Sequence, residues 1–88
     1  MTEIKTKNAA LSLGILAALL HATWVIVVAL GAGQAMADWK LGSHFLKIPY
    51  TVSAFDPLTG IALIITSFIG GAIVGAVFAV IWNWLNKK

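Results

Sequence analysis

Residues 60–82 read GIALIITSFIGGAIVGAVFAVIW, a run without one charged side chain that ends in tryptophan just before Asn83, Trp84, Lys87 and Lys88. At about 1.5 Å of rise per residue such a run, once helical, crosses roughly 30 Å of hydrocarbon. A second run of the same kind lies upstream at residues 9–31, AALSLGILAALLHATWVIVVALG. Backbone polar groups in lipid must be satisfied inside their own segment, so both runs read as transmembrane helices. The 88-residue chain is 60% apolar and only 10% charged, more apolar surface than a soluble domain of this size can hide. The predicted fold class is therefore an all-α membrane protein: a two-transmembrane-helix hairpin with a partly ordered interfacial connection. Its boundaries are a tail at 1–8, helix 1 at 9–31, an external connection at 32–59, helix 2 at 60–82 and a tail at 83–88.

Lys5 and Lys7, the apolar run and Ala35-Met36-Ala37 also imitate a secretory signal with its cleavage site. The run is about twice the usual length of such a hydrophobic region and carries His21 and Trp24, so retention is expected. Orientation follows from the lysines. Lys5 and Lys7 face only Glu3, and Lys87 and Lys88 face no acid, whereas Lys40 and Lys47 in the connection are offset by Asp38 and Asp56. Both termini are expected in the cytoplasm. Trp39, Trp82, Trp84, Lys87 and Lys88 are the expected interfacial anchors. All six basic residues are lysine, which removes the bidentate forks that favour nucleic-acid recognition, and no nucleic-acid partner is expected. There is no cysteine, hence no disulfide or thiolate site.

The connection is too apolar for a solvated loop: Met36, Trp39, Phe45, Leu46, Ile48, Tyr50, Val52 and Phe55 recur between its charges. A short amphipathic helix is expected over 34–47, with Ala35, Trp39 and Leu46 near one face, weakened by Gly42 and ended by Pro49. Residues 50–54 read as extended. Asp56-Pro57 then turns the chain into helix 2, with Asp56 or Thr59 as cap.

Within helix 2, Ser67, Gly71, Gly75 and Ala79 recur every four residues as a ridge of small side chains. Helix 1 carries Ala10, Gly14, Ala18 and Ala22 at the same spacing. Association in lipid depends on close backbone approach, so the two ridges are expected to pack on one another, leaving self-association through the glycine-rich ridge as the second use. With the span ends aligned, Ala18 falls near Gly75 and Ala22 near Gly71.

His21 is the readily titratable side chain inside a span, near its middle, and by helical angle it shares the side of Ala10, Gly14 and Ala18. Polar groups at this depth are costly and usually look inward. A neutral imidazole bonded to a carbonyl or to Ser67, with Thr66 also in reach, is the structural reading. Proton relay with Trp24 in an oligomer is the functional one. The pair looks like the His and Trp of small viral proton channels, although those use a four-residue step and His21 and Trp24 are three apart. Ligation of a chlorophyll-type or haem metal, with Ala17 one turn before His21, is a further option. No cofactor and no metal are expected: zinc needs three protein ligands at a catalytic site, and His44 lies at another depth. Ser12, Ser43, Ser53 and Ser67 sit in no nucleophile motif, and Gly70-Gly71 lacks the context of a phosphate cradle. Enzyme activity is not expected.

The segments His21-Ala22-Thr23-Trp24, Val28-Ala29-Leu30-Gly31, Leu41-Gly42-Ser43-His44-Phe45, Ala54-Phe55-Asp56 and residues 78–83 together resemble an uncharacterised family of short bacterial two-span membrane proteins. The family has no established activity. The resemblance implies a hairpin of the bacterial inner membrane with an ordered connection in which His44, Phe45 and Phe55 pack together. The functional expectation is a small membrane interaction protein, a homo-oligomer or an accessory subunit of a larger membrane complex. The alternative is an oligomeric proton or small-ion pathway centred on His21.

Overall fold

The computed structural model describes residues 3–47, 49 and 51–87, and among these it contains three helices: α1 (Thr6–Ala29), α2 (Gly33–Ser43) and α3 (Pro57–Asn86). Their ends follow from local chemistry. Asp56 caps α3: its Oδ2 accepts from the Thr59 backbone N–H at 3.1 Å and from the Thr59 hydroxyl at 2.6 Å, and Pro57 follows at the first helical position. These bonds, the hydroxyl first, hold the Asp56 carboxyl below its ordinary 3.8. α1 ends where Gly31 turns left-handed at φ +84°, with Gly31 N–H donating to Val28 O and Ala32 N–H to Val27 O, each at 3.0 Å.

The same paired motif ends α2 and corrects the expected terminator. Phe45 adopts φ +63°, its N–H donates to Gly42 O at 3.0 Å, and Leu46 N–H reaches Leu41 O at 2.9 Å. The helix is therefore over at Ser43, well before Pro49. Ser43 Oγ and His44 Nδ1 add bonds to Lys40 O, at 2.9 and 2.7 Å. Phe45 is 96% exposed, so the implied packing of His44, Phe45 and Phe55 does not form. Ile48 and Tyr50, counted among the apolar residues of the connection, lie outside the described residues. Residues 51–56 carry no helix or strand, and Gln34 Oε1 accepts the Val52 N–H at 2.6 Å, which ties this segment to α2.

α1 and α3 run antiparallel along each other, and α2 touches α1 but not α3. The molecule measures 51 × 32 × 15 Å. Two helix axes lie only about 8–10 Å apart, so much of the width belongs to α2 and the connection, extending sideways from one end of the pair. Ala79 is a fully buried apolar side chain, and among the described residues no large side chain is fully buried. Both long helices are long and apolar enough to cross a membrane, and only 6% and 11% of their most apolar windows are buried within the chain. A helix forming the core of a soluble domain would be mostly covered.

Candidate functional site

The seam between α1 and α3 is built from missing side chains. A Cβ on Gly71 would lie 2.5 Å from Leu13 O, 2.8 Å from Ala17 Cβ and 3.0 Å from Gly14 Cα. One on Gly75 would overlap Ala9 O and stand 2.9 Å from Ala10 Cα. Gly14 in turn faces Phe68, ring and carbonyl both at 3.0 Å from its missing Cβ, and Gly60 faces Val25 Cγ1 at 2.9 Å. The two ridges do mate, bringing Ala10, Gly14, Gly71 and Gly75 together, with Ala79 buried and Ala18, Ala22 and Ser67 half-buried.

The register differs from the expected one by two repeats of the pattern: Gly75 meets Ala10 instead of Ala18, and Gly71 meets Gly14 instead of Ala22. A ridge that repeats every four residues fits its partner after any shift of four, so the spacing does not choose among registers. The ends do. Asn83 Oδ1 accepts the Ile4 N–H at 2.8 Å, and Asn83 Nδ2 donates to Ile4 O at 2.7 Å, a two-point clamp between the N-terminal segment and the last turns of α3. Sequence reading passed over Asn83; its signal was a lone carboxamide between Trp82 and Trp84 at the end of an apolar helix.

His21 is the second correction. It is exposed, not enclosed between the helices. Its Nδ1 lies 2.9 Å from Ala17 O, and since a carbonyl only accepts, Nδ1 carries the proton. Thr66 does not meet the ring: the Thr66 hydroxyl donates to Ala62 O at 2.9 Å and Leu63 O at 3.0 Å within its own helix. Thr23 does the same with Leu19 O at 3.0 Å. Backbone carbonyls one turn upstream thus satisfy these hydroxyls, and one nitrogen of His21.

Trp24 is half-buried and forms a wall shared by two clefts at the α2 end of the molecule. Trp39 and Trp84 are exposed, at 69% and 64%, while Trp82 is half-buried with its ring centroid 5.9 Å from that of Phe78. Lys87 is exposed, and Lys88 lies outside the described residues. Among the described residues no cluster of three or more His, Cys, Asp or Glu side chains is placed to hold a metal ion. No protein-family profile, curated protein or solved structure matches the chain.

Proposed function

We propose that this chain is a two-span integral membrane protein whose role is association, with copies of itself or as an accessory subunit of a larger membrane complex. The observation that carries the reading is His21. The small-residue ridges are used up within the hairpin, so they do not account for a partner, but an exposed imidazole, one nitrogen bonded to Ala17 O and the other open to a neighbour, lies near the middle of an apolar helix. Facing hydrocarbon alone, that nitrogen forgoes a hydrogen bond, and polar groups at this depth turn toward protein or a water-filled path. A neighbouring helix carrying a donor resolves the cost. The exposed apolar faces of α1 and α3 support the membrane setting, and the juxtaposed chain ends support one side for both termini. The lysine imbalance supports the cytoplasm as that side, and a bacterial inner membrane is the setting this reading takes.

Association is tested by energy transfer between labelled copies in bilayers of increasing lipid-to-protein ratio. The native chain should associate, and His21→Leu should weaken association on the order of threefold to twentyfold, the range for one interhelical polar contact in lipid. A native chain that stays a lone hairpin at its natural abundance, with no partner crosslinked in native membranes, overturns the reading. The exposure of His21 also favours the second reading, a proton or small-ion pathway, since association through that residue would gather imidazoles at a shared interface. Equal proteoliposome flux from the native chain and His21→Ala removes it.

A further inference from the structure

The clefts on the two sides of Trp24 and Val52 end in opposite charges. One, about 150 Å³, runs past Val25 and Leu63 to Asp56, whose carboxylate is committed to capping α3. The other, about 510 Å³, is lined by Trp24, Met36, Ala37, Leu41 and Val52 together with the exposed Lys40. This second volume is in the range of small-molecule sites. Its walls are fixed by specific contacts. Gln34 Nε2 donates to Asp38 Oδ1 at 3.0 Å, which orients the carboxamide whose Oε1 holds Val52 N–H at 2.6 Å. Val52 Cγ1 packs where a side chain on Gly33 would stand, 3.1 Å from its missing Cβ.

We infer that this groove binds one anionic phospholipid, an acyl chain lying against Trp24, Leu41 and Val52 and the headgroup phosphate on the Lys40 ammonium. The inference rests on the membrane reading given above. The sequence supplies the two chemistries: Trp24 belongs to the apolar length of α1, about 8 Å before its end at Ala29, whereas Lys40 belongs to α2, the charged helix that follows it in the chain. A carboxylate would repel a phosphate and a lysine attracts one, so charge selects this groove over its neighbour.

The test uses a chain whose only tryptophan is Trp24, with Trp39, Trp82 and Trp84 replaced by phenylalanine, in phosphatidylcholine vesicles. These carry a small fraction of phosphatidylglycerol brominated on its acyl chain, which quenches tryptophan on contact. Quenching should exceed that expected from the mole fraction by on the order of fivefold, the effect of one lysine near an anionic headgroup. Lys40→Gln should abolish the excess, and Ala37→Phe, which fills the groove and keeps the charge, should abolish it too. Brominated phosphatidylcholine should give no excess. If quenching follows mole fraction while the chain floats with the vesicles, this inference alone is overturned. If it varies with protein density and not with the anionic lipid, the groove is filled by a second copy and the inference is overturned likewise. A chain that does not float overturns the membrane reading with it.

Discussion

Gly75→Ala and Gly70→Ala make the same chemical change five residues apart on one helix, and they should act in opposite directions. The added methyl at position 75 would overlap Ala9 O and lie 2.8 Å from Ala9 C and 2.9 Å from Ala10 Cα, whereas at position 70 it meets nothing within 4 Å. Ordinary contact begins at 3.4 Å, so α1 and α3 must separate by about half an ångström or more, and the obstructing atoms are backbone with no flexible end to swing aside. A gap of that size forfeits about a quarter of the dispersion well at each contact along the seam. The overpacking cost is about 1–3 kcal/mol, offset by at most about 1 kcal/mol of helix propensity. Gly70→Ala keeps the propensity gain and pays no steric cost. Because the chain has no native cysteine, Lys7→Cys and Lys87→Cys accept a dye pair, and energy transfer between the ends during titration with a denaturing detergent reads helix separation. The Gly75→Ala midpoint should fall and the Gly70→Ala midpoint should hold or rise. Equal shifts for the two variants would refute the seam described here.

Asn83→Ala removes both bonds to Ile4 and should cost about 2 kcal/mol at about 1 kcal/mol per net hydrogen bond, seen as faster amide exchange at Ile4 with the centre of the seam unaffected. Phe45→Gly relieves a left-handed backbone at a side chain that is 96% exposed, and should stabilise the end of α2 by about 1 kcal/mol, read from exchange of the Leu46 amide. The Asp56 carboxyl titrates lower in the folded chain than its ordinary 3.8, so its cap is fully present above that value and is lost as pH falls through the lower folded one. Exchange at the Thr59 amide, corrected for its intrinsic pH dependence, should therefore rise below pH 3.8, and Asp56→Ala should show the unprotected rate at every pH.

The site divides differently from the fold. Gly14, Gly71 and Gly75 were legible as contact residues because small side chains at a four-residue spacing have few other uses in an apolar helix. Asn83 and Gln34, which pin the chain ends and the connection, were not, since a carboxamide acquires its role only when a distant backbone group comes within reach. His21 was legible as the polar exception in its helix but not in its exposure. Helical angle gives the position of a Cβ relative to its own helix, whereas how far the partner helix covers it is a property of the packed pair, which leaves His21 exposed.

What the sequence determined by itself is local and compositional. Two uncharged runs of bilayer length and Asp56-Pro57 at the head of α3 mark a pair of long apolar helices with a break between them, because hydropathy and capping depend on neighbours in the chain. The helix-pair register, the exposure of His21, the stop at Phe45 and the groove beside Lys40 belong to the tertiary structure. A four-residue ridge is its own translate, so only contacts between residues far apart in the chain, Ile4 with Asn83 and Val25 with Gly60, select one of its equivalent alignments.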